Sequence, residues 1–162
     1  MAAIAGLDEQ DIRILDVLQT EGSLSIAAVA ERTGLSQNAC WRRIKRLEDE
    51  QVITGRVTLV NARKLGLDLI VFMHVKASEH SEDWFQRFAG AVQGLDEVVE
   101  FYRMAGEIDY LLKLVVENIA AYDRVYKRLI SMVKIVDLSS TFAMEEIKRT
   151  TALPLHHHQP SH

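Results

Sequence analysis

The segment Ser36-Gln37-Asn38-Ala39-Cys40-Trp41-Arg42-Arg43-Ile44-Lys45-Arg46 concentrates more chemistry than any other stretch of the chain. Arg42, Arg43, Lys45 and Arg46 place four cations within five residues, one helical turn after the two side-chain amides Gln37 and Asn38. Amides bond adenine in bidentate fashion and guanidinium groups reach guanine or phosphate, so these types in this order suit the major groove of double-stranded DNA. Ser36 can offer its hydroxyl or its helix-terminal N–H to a phosphate, and Arg56 can do the same from the stretch that follows. Trp41 either packs, the ordinary role of an aromatic at helical spacing, or stacks on sugar. The competing reading of the whole segment is a solvated basic face balanced by Glu48, Asp49 and Glu50.

A second group is Gly106-Glu107-Ile108-Asp109, at the hairpin between the two central strands of the C-terminal half. Glycine suits a positive φ and close backbone approach, and a turn with free N–H groups beside carboxylates can hold the ammonium and carboxylate of a small zwitterion. The plainer reading is a hairpin in which Asp109 bonds its own turn. No apparatus for catalysis is visible: there is no GxSxG, no phosphate-cradling glycine loop and no paired histidine ligands. Cys40 stands among core positions, and His74 and His80 pair with no metal ligand at a useful spacing, so neither a cofactor nor a metal is expected. His156, His157, His158 and His162 resemble a terminal tail rather than a site.

The elements that must position these residues are readable from periodicity. Asp8 caps a first helix whose Leu7, Ile12, Leu15 and Leu18 form one stripe. Ser25 caps a second, ended by Gly34 in a left-handed conformation, and Ser36 caps a third, whose Ala39, Cys40, Ile44 and Leu47 face inward. Two short helices joined by a tight glycine turn form a helix-turn-helix, whose second helix presents its first turn to base edges. After Ile53, Val57, Leu59 and Val60 give a strand-like stretch, and 61–66 reads as a loop. From Asp68 the order is a strand to Lys76, a helix near 81–92, strands at 97–104 and 109–117, a helix at 119–132 and a last strand around 137–147. This is βαββαβ, the ferredoxin-like arrangement, and the fold class is α+β. The implied organisation is a DNA-binding domain at 1–53, a strand-bearing linker at 54–66, a ligand-sensing and oligomerisation domain at 67–152 and a disordered tail at 153–162. Val71, Met73 and Val75 alternate with Ile70, Phe72 and His74, so both faces of the first strand are largely apolar, which points to a dimer that covers the second face.

Composition agrees. The chain has 162 residues, 48% hydrophobic and 26% charged, with a net charge of −4, as expected of a globular protein of one domain or two small ones. Residues 1–64 hold nine basic and nine acidic side chains and residues 65–162 hold ten and fourteen, so the N-terminal part is the less acidic. No apolar run is long enough to span a bilayer, no secretory signal is visible, and one cysteine cannot form an internal disulfide. The cytoplasm is the expected compartment.

Three stretches together resemble the Lrp/AsnC, or feast/famine, family of transcription regulators. They are Leu7-Asp8-x-x-Asp11-x-x-Ile14-Leu15; Leu35-Ser36 with Arg43-Ile44-Lys45-Arg46-Leu47-Glu48; and Gly106-x-x-Asp109-Tyr110-Leu111-Leu112. The resemblance implies a winged helix-turn-helix joined to a βαββαβ sensing domain, dimers that assemble into octamers or similar rings, and palindromic operators. It also implies an amino acid effector bound near Met104, Ala105, Gly106 and Glu107, with Asp109 and Tyr110 adjoining and Ser140 and Phe142 completing the pocket. Ala39-Cys40-Trp41, Phe101 to Glu107 and Phe142 to Thr151 look like the branch containing cysteine-responsive detoxification regulators, which suggests cysteine or another sulfur amino acid. Two positions depart from the family pattern: Ala39 stands where many relatives have proline, and Gln51 where they have glycine. The alternative reading is an amino-acid-binding module or small-molecule enzyme on the ferredoxin-like domain, without DNA binding.

Overall fold

The computed structural model describes residues 6–155, and the chain forms two compact units. One comprises the residues up to Leu59 together with those from Lys148 onward; the other is Val60–Ile147. The terminal histidines from His156 onward lie outside the described residues.

The first unit is built on α1 (Glu9–Thr20), α2 (Ile26–Thr33) and α3 (Gln37–Asp49). Asp8, Ser25 and Ser36 each accept a hydrogen bond from the backbone N–H three residues on, which satisfies a donor that the helix itself leaves open. Ile14, Val29, Ala30, Cys40, Ile44 and Leu47 form the core. Cys40 is wholly buried, and burial pushes its thiol pKa up, as expected for a core residue rather than a nucleophile. Gly34, at φ +70°, ends α2, and only Leu35 separates it from the Ser36 cap.

Helix α3 ends in the same way, but without glycine. Gln51 N–H bonds the Glu48 carbonyl at 3.1 Å and Val52 N–H the Leu47 carbonyl at 2.9 Å, the two bonds of a Schellman motif. The residue that must turn left-handed is Gln51, at φ +57°. Its side-chain amide bonds the same Glu48 carbonyl, which supports the turn but does not remove the Cβ penalty. Gln51→Gly is therefore expected to stabilise this unit by about 1 kcal/mol, read as a rise of several degrees in its melting temperature.

Beyond α3 the expected strand-like stretch is extended but unpaired. Val57 is 83% and Leu59 64% exposed. No described segment of the first unit offers a second strand, so the linker bears no strand within a single chain. The C-terminal segment returns to α1, where Gln19 donates to the Leu153 carbonyl at 2.9 Å and accepts from Leu153 N–H at 2.8 Å. Of the stretch expected to be a tail, Leu153 is thus held by a side-chain amide that mimics a backbone partner.

The second unit contains β1 (Leu69–Ala77), α4 (Glu82–Gln93), β2 (Val98–Arg103), β3 (Tyr110–Val116), α5 (Ile119–Met132) and β4 (Ile135–Phe142). The sheet is antiparallel throughout, in the order β2-β3-β1-β4. The hairpin carrying Gly106 therefore joins an edge strand to a central one rather than two central strands. Val71, Met73 and Val75 of β1 and Tyr110, Leu112, Leu114 and Val116 of β3 are buried on the face that packs with Trp84, Phe88, Val125 and Leu129 of the helices. Trp84 stacks on Phe88 with ring centroids 4.9 Å apart, and Tyr110 lies within 6.0 Å of four aromatic rings. The opposite face carries Ile70, Phe72, Leu111 and Val115, half-buried, with a Lys113 to Glu100 ion pair at 2.7 Å. The last strand begins and ends earlier than the sequence suggests. Ile135 pairs with Ala77 because β4 follows α5 after only Val133 and Lys134, Val136 is skipped by the irregular register, and past Phe142 the chain leaves the sheet with Met144 and Ile147 exposed.

Candidate nucleic-acid interface and effector site

Helix α3 divides its polar residues into two sets. Gln37, Asn38, Trp41, Arg42 and Lys45 are exposed, and their three- and four-residue spacing puts them on one outward row, with Ser36 at its start. Among the described residues, the side chains of Gln37, Asn38 and Arg42 have no hydrogen-bond or ion-pair partner. Lys45 pairs with Asp49 at 2.7 Å, but both are more than half exposed, so the pair is weak and free to exchange. Trp41 is 56% exposed. It shares the row of Gln37 and Lys45 and is not part of the core that holds Cys40 and Ile44.

Arg43 lies on the flank toward α1, and Arg46, although it follows Arg42 by four residues, is held by the same Asp11 carboxylate. Arg43 donates to both Asp8 oxygens, at 2.8 and 2.7 Å, and to Asp11 Oδ1 at 2.8 Å; Arg46 donates to Asp11 Oδ2 at 2.5 Å and to the Gly6 carbonyl at 3.3 Å. Asp11 is 0% exposed, and its carboxylate also accepts from Asp8 N–H in a reciprocal capping box. Two of the four clustered cations expected to contact DNA are thus tied to the start of α1. The physical reason is the buried carboxylate, whose charge requires close cationic partners. Arg56 likewise pairs with Glu48 at 3.2 Å rather than standing free.

Asp11 is the residue that inspection of the basic helix alone overlooks. The signal is present in sequence: Asp8 and Asp11 are three apart at the start of α1, and Arg43 and Arg46 are three apart in α3. Burial pulls the Asp8 carboxyl upward, but the Asp11 N–H and Arg43 outweigh it and hold its pKa below the ordinary aspartate value. A depressed carboxyl stabilises the fold above its unfolded pKa and loses that contribution as pH falls through the folded value. The helical unit is therefore expected to lose stability as pH is lowered through the carboxylate range, with Asp8→Asn removing part of that dependence in acid melts.

In the second unit Gly106 takes φ +134°, a conformation that L side chains rarely adopt. Met104, Ala105 and Glu107 are exposed around it. The turn is closed by Met104 N–H bonding the Asp109 carbonyl at 2.8 Å, while Asp109 N–H bonds Val75. Asp109 does not bond its own turn through its side chain. Its Oδ2 accepts from Ala77 N–H at 2.8 Å, beside the irregularity in β1, and Oδ1 lies 3.9 Å from His80 Nε2. The turn thus presents exposed backbone beside a fixed negative charge, an arrangement suited to a small zwitterion.

Three expected effector residues are not part of this group. Tyr110 points into the aromatic core and is 5% exposed. Ser140 and Phe142 lie opposite Met73 and Val71, further along the sheet than Val75, which pairs with Tyr110 beside the turn. There Ser140 Oγ accepts from Tyr122 O–H at 2.9 Å and Phe142 packs edge-on against the Tyr122 ring. A single chain therefore does not bring the two groups together. Among the described residues, no cluster of histidine, cysteine and carboxylates could hold a metal ion.

Comparison with known proteins decides between the regulator and a module without DNA binding. Residues 7–54 match the winged helix-turn-helix DNA-binding family, and residues 70–153 match the Lrp/AsnC ligand binding domain. The chain belongs to the Lrp/AsnC family. It is 53% identical to the glutamate uptake regulatory protein of Zymomonas mobilis, over 94% of this chain and 93% of that one. To the DNA-binding transcriptional activator DecR of Escherichia coli it is 44% identical, over 92% and 99%. A transcriptional regulator of Neisseria meningitidis solved as its L-Met complex is 36% identical, with a TM-score of 0.90 over 94% of this chain and 99% of that one. As a member of the Lrp/AsnC family, this chain is a DNA-binding transcriptional regulator with a ligand-binding domain, and its relatives are named regulators rather than enzymes. No helix among the described residues is long and apolar enough to cross a membrane.

Proposed function

We propose that this Lrp/AsnC regulator acts in the cytoplasm as a homo-oligomer that reads a palindromic operator through the outward row of α3 and responds to a sulfur-containing amino acid. The observation that carries the DNA half is the segregation of α3. Ser36, Gln37, Asn38, Trp41, Arg42 and Lys45 form an exposed face of amides, cations and one aromatic, while Arg43 and Arg46 beside it are bound to the Asp8 and Asp11 carboxylates. In this reading Gln37 and Asn38 meet base edges, Arg42 meets guanine or phosphate, and Lys45 exchanges Asp49 for phosphate. Arg56 contributes only where it leaves Glu48. Asn38→Ala is expected to lower the ratio of specific to random DNA affinity by about tenfold, an effect of one base contact. Equal losses on both DNAs would remove Asn38 from base reading.

The effector half rests on the Gly106 turn beside Asp109, and on the L-Met complex of the Neisseria relative. The turn lies open on one chain, so a second chain supplies the rest of the pocket. Ser140 and Phe142 of one protomer then serve the turn of another through assembly, not within the monomer. The half-buried apolar face of Ile70, Phe72, Leu111 and Val115 is the proposed dimer contact, and two-fold symmetry there gives palindromic half-sites. Dimers then build octamers or a similar ring. Titration of the oligomer with L-methionine and L-cysteine, read by calorimetry, tests the effector class; binding of neither, with binding of an aliphatic amino acid, would replace it.

A further inference from the structure

Asp11 sits at the centre of the ion-pair group, fully buried and away from the exposed row of α3. Its two oxygens are shared between the two helices: each bonds one arginine of α3, and Oδ2 also holds the first N–H of the α1 cap. Asp8 and Asp11 together balance Arg43 and Arg46, two negative charges against two positive. A pair formed with a carboxylate at the surface exchanges readily for phosphate, as Lys45 and Asp49 can. A pair formed with a carboxylate wholly removed from water does not, because its departure would leave that charge buried and alone. Four cations in five residues would otherwise give α3 strong attraction to any duplex, independent of sequence.

We propose that Asp11 is a positioning residue that sets DNA specificity: it fixes α3 about its own axis and withholds Arg43 and Arg46 from phosphate, leaving base contacts to decide among sites. The inference rests on the outward row of α3 as the DNA face and adds what limits that face.

The test measures how affinity of the full-length protein depends on salt, with a retained genomic fragment and a random duplex of equal length. Asp11→Asn keeps the shape and the cap acceptor but removes the charge. It is expected to bind random DNA at least tenfold more tightly and to steepen the salt slope by about 0.9 for each phosphate that a released arginine reaches. The ratio of specific to random affinity falls accordingly. Arg46→Met is expected to leave the random-DNA slope unchanged, and Asp11→Asn with Arg46→Met to give back the Arg46 part of the increase. An unchanged or flatter slope in folded Asp11→Asn would overturn the inference. Should Asp11→Asn fail to fold, Arg46→Met decides alone: an unchanged slope upholds the withholding of Arg46, and a fall of about 0.9 or more per protomer overturns it. Arg42→Ala reads the underlying assumption separately, since it flattens the slope only if the outward row faces DNA.

Discussion

Replacing Arg42 and Lys45 together with alanine is expected to weaken binding to any duplex by roughly a hundredfold or more at physiological salt and to flatten its salt dependence. Each lost phosphate contact lowers the slope of log affinity against log salt by about 0.9, so a dimer that loses two contacts per protomer loses about 3.6. The reason is geometric. These two side chains stand on the exposed row, Arg42 without a partner among the described residues and Lys45 with an exchangeable one. The same double change at Arg43 and Arg46 leaves buried Asp11 without a cation, so it destabilises the helical unit instead. Filter binding across a salt series, beside thermal melts, separates the two effects. A pair of variants with equal slopes would contradict the division of α3 into two sets.

Gly106→Asp is expected to abolish the amino acid response while the protein stays folded. Gly106 takes φ +134°, where a side chain costs about 1–3 kcal/mol, but beyond its own chain neighbours no described atom lies within 4 Å of where a Cβ would stand. The strain therefore falls on the exposed turn and not on the core. The added carboxylate then sits close to Asp109 and faces the carboxylate of an arriving amino acid, so affinity falls by at least a hundredfold. Gly106→Ala, which adds strain without charge, should lose less. Calorimetry with L-methionine on the folded variants checks this, and an unaltered affinity in Gly106→Asp would take the turn out of the site.

Local signals in the chain were legible because they are local. The serine and aspartate caps, the left-handed Gly34 and the apolar stripes each depend on residues within one or two turns, and all stand where the pattern places them. The order of strands and helices followed from periodicity. Its limits came where a partner outside the segment decides. Val57 and Leu59 alternate as a strand does, yet they find nothing to pair with in one chain. The basic run looked uniform from composition, while a carboxylate more than thirty residues earlier takes two of its cations. Ser140 and Phe142 belong to a different part of the sheet from the Gly106 turn, a separation that strand register sets and sequence spacing does not. Gln51 shows the reverse case. Its departure from the family glycine was visible in sequence, and its left-handed backbone shows the cost of that departure.

The central claim is that the outward row of α3 reads defined DNA sites under the control of an amino acid. The most direct measurement mixes the purified protein with fragmented DNA from its own genome at moderate salt, with and without L-methionine or L-cysteine, and sequences what is retained. Discrete palindromic sites whose occupancy shifts with the amino acid are the expected result. Uniform retention that no amino acid alters would contradict it, and would leave the basic helix as a solvated face.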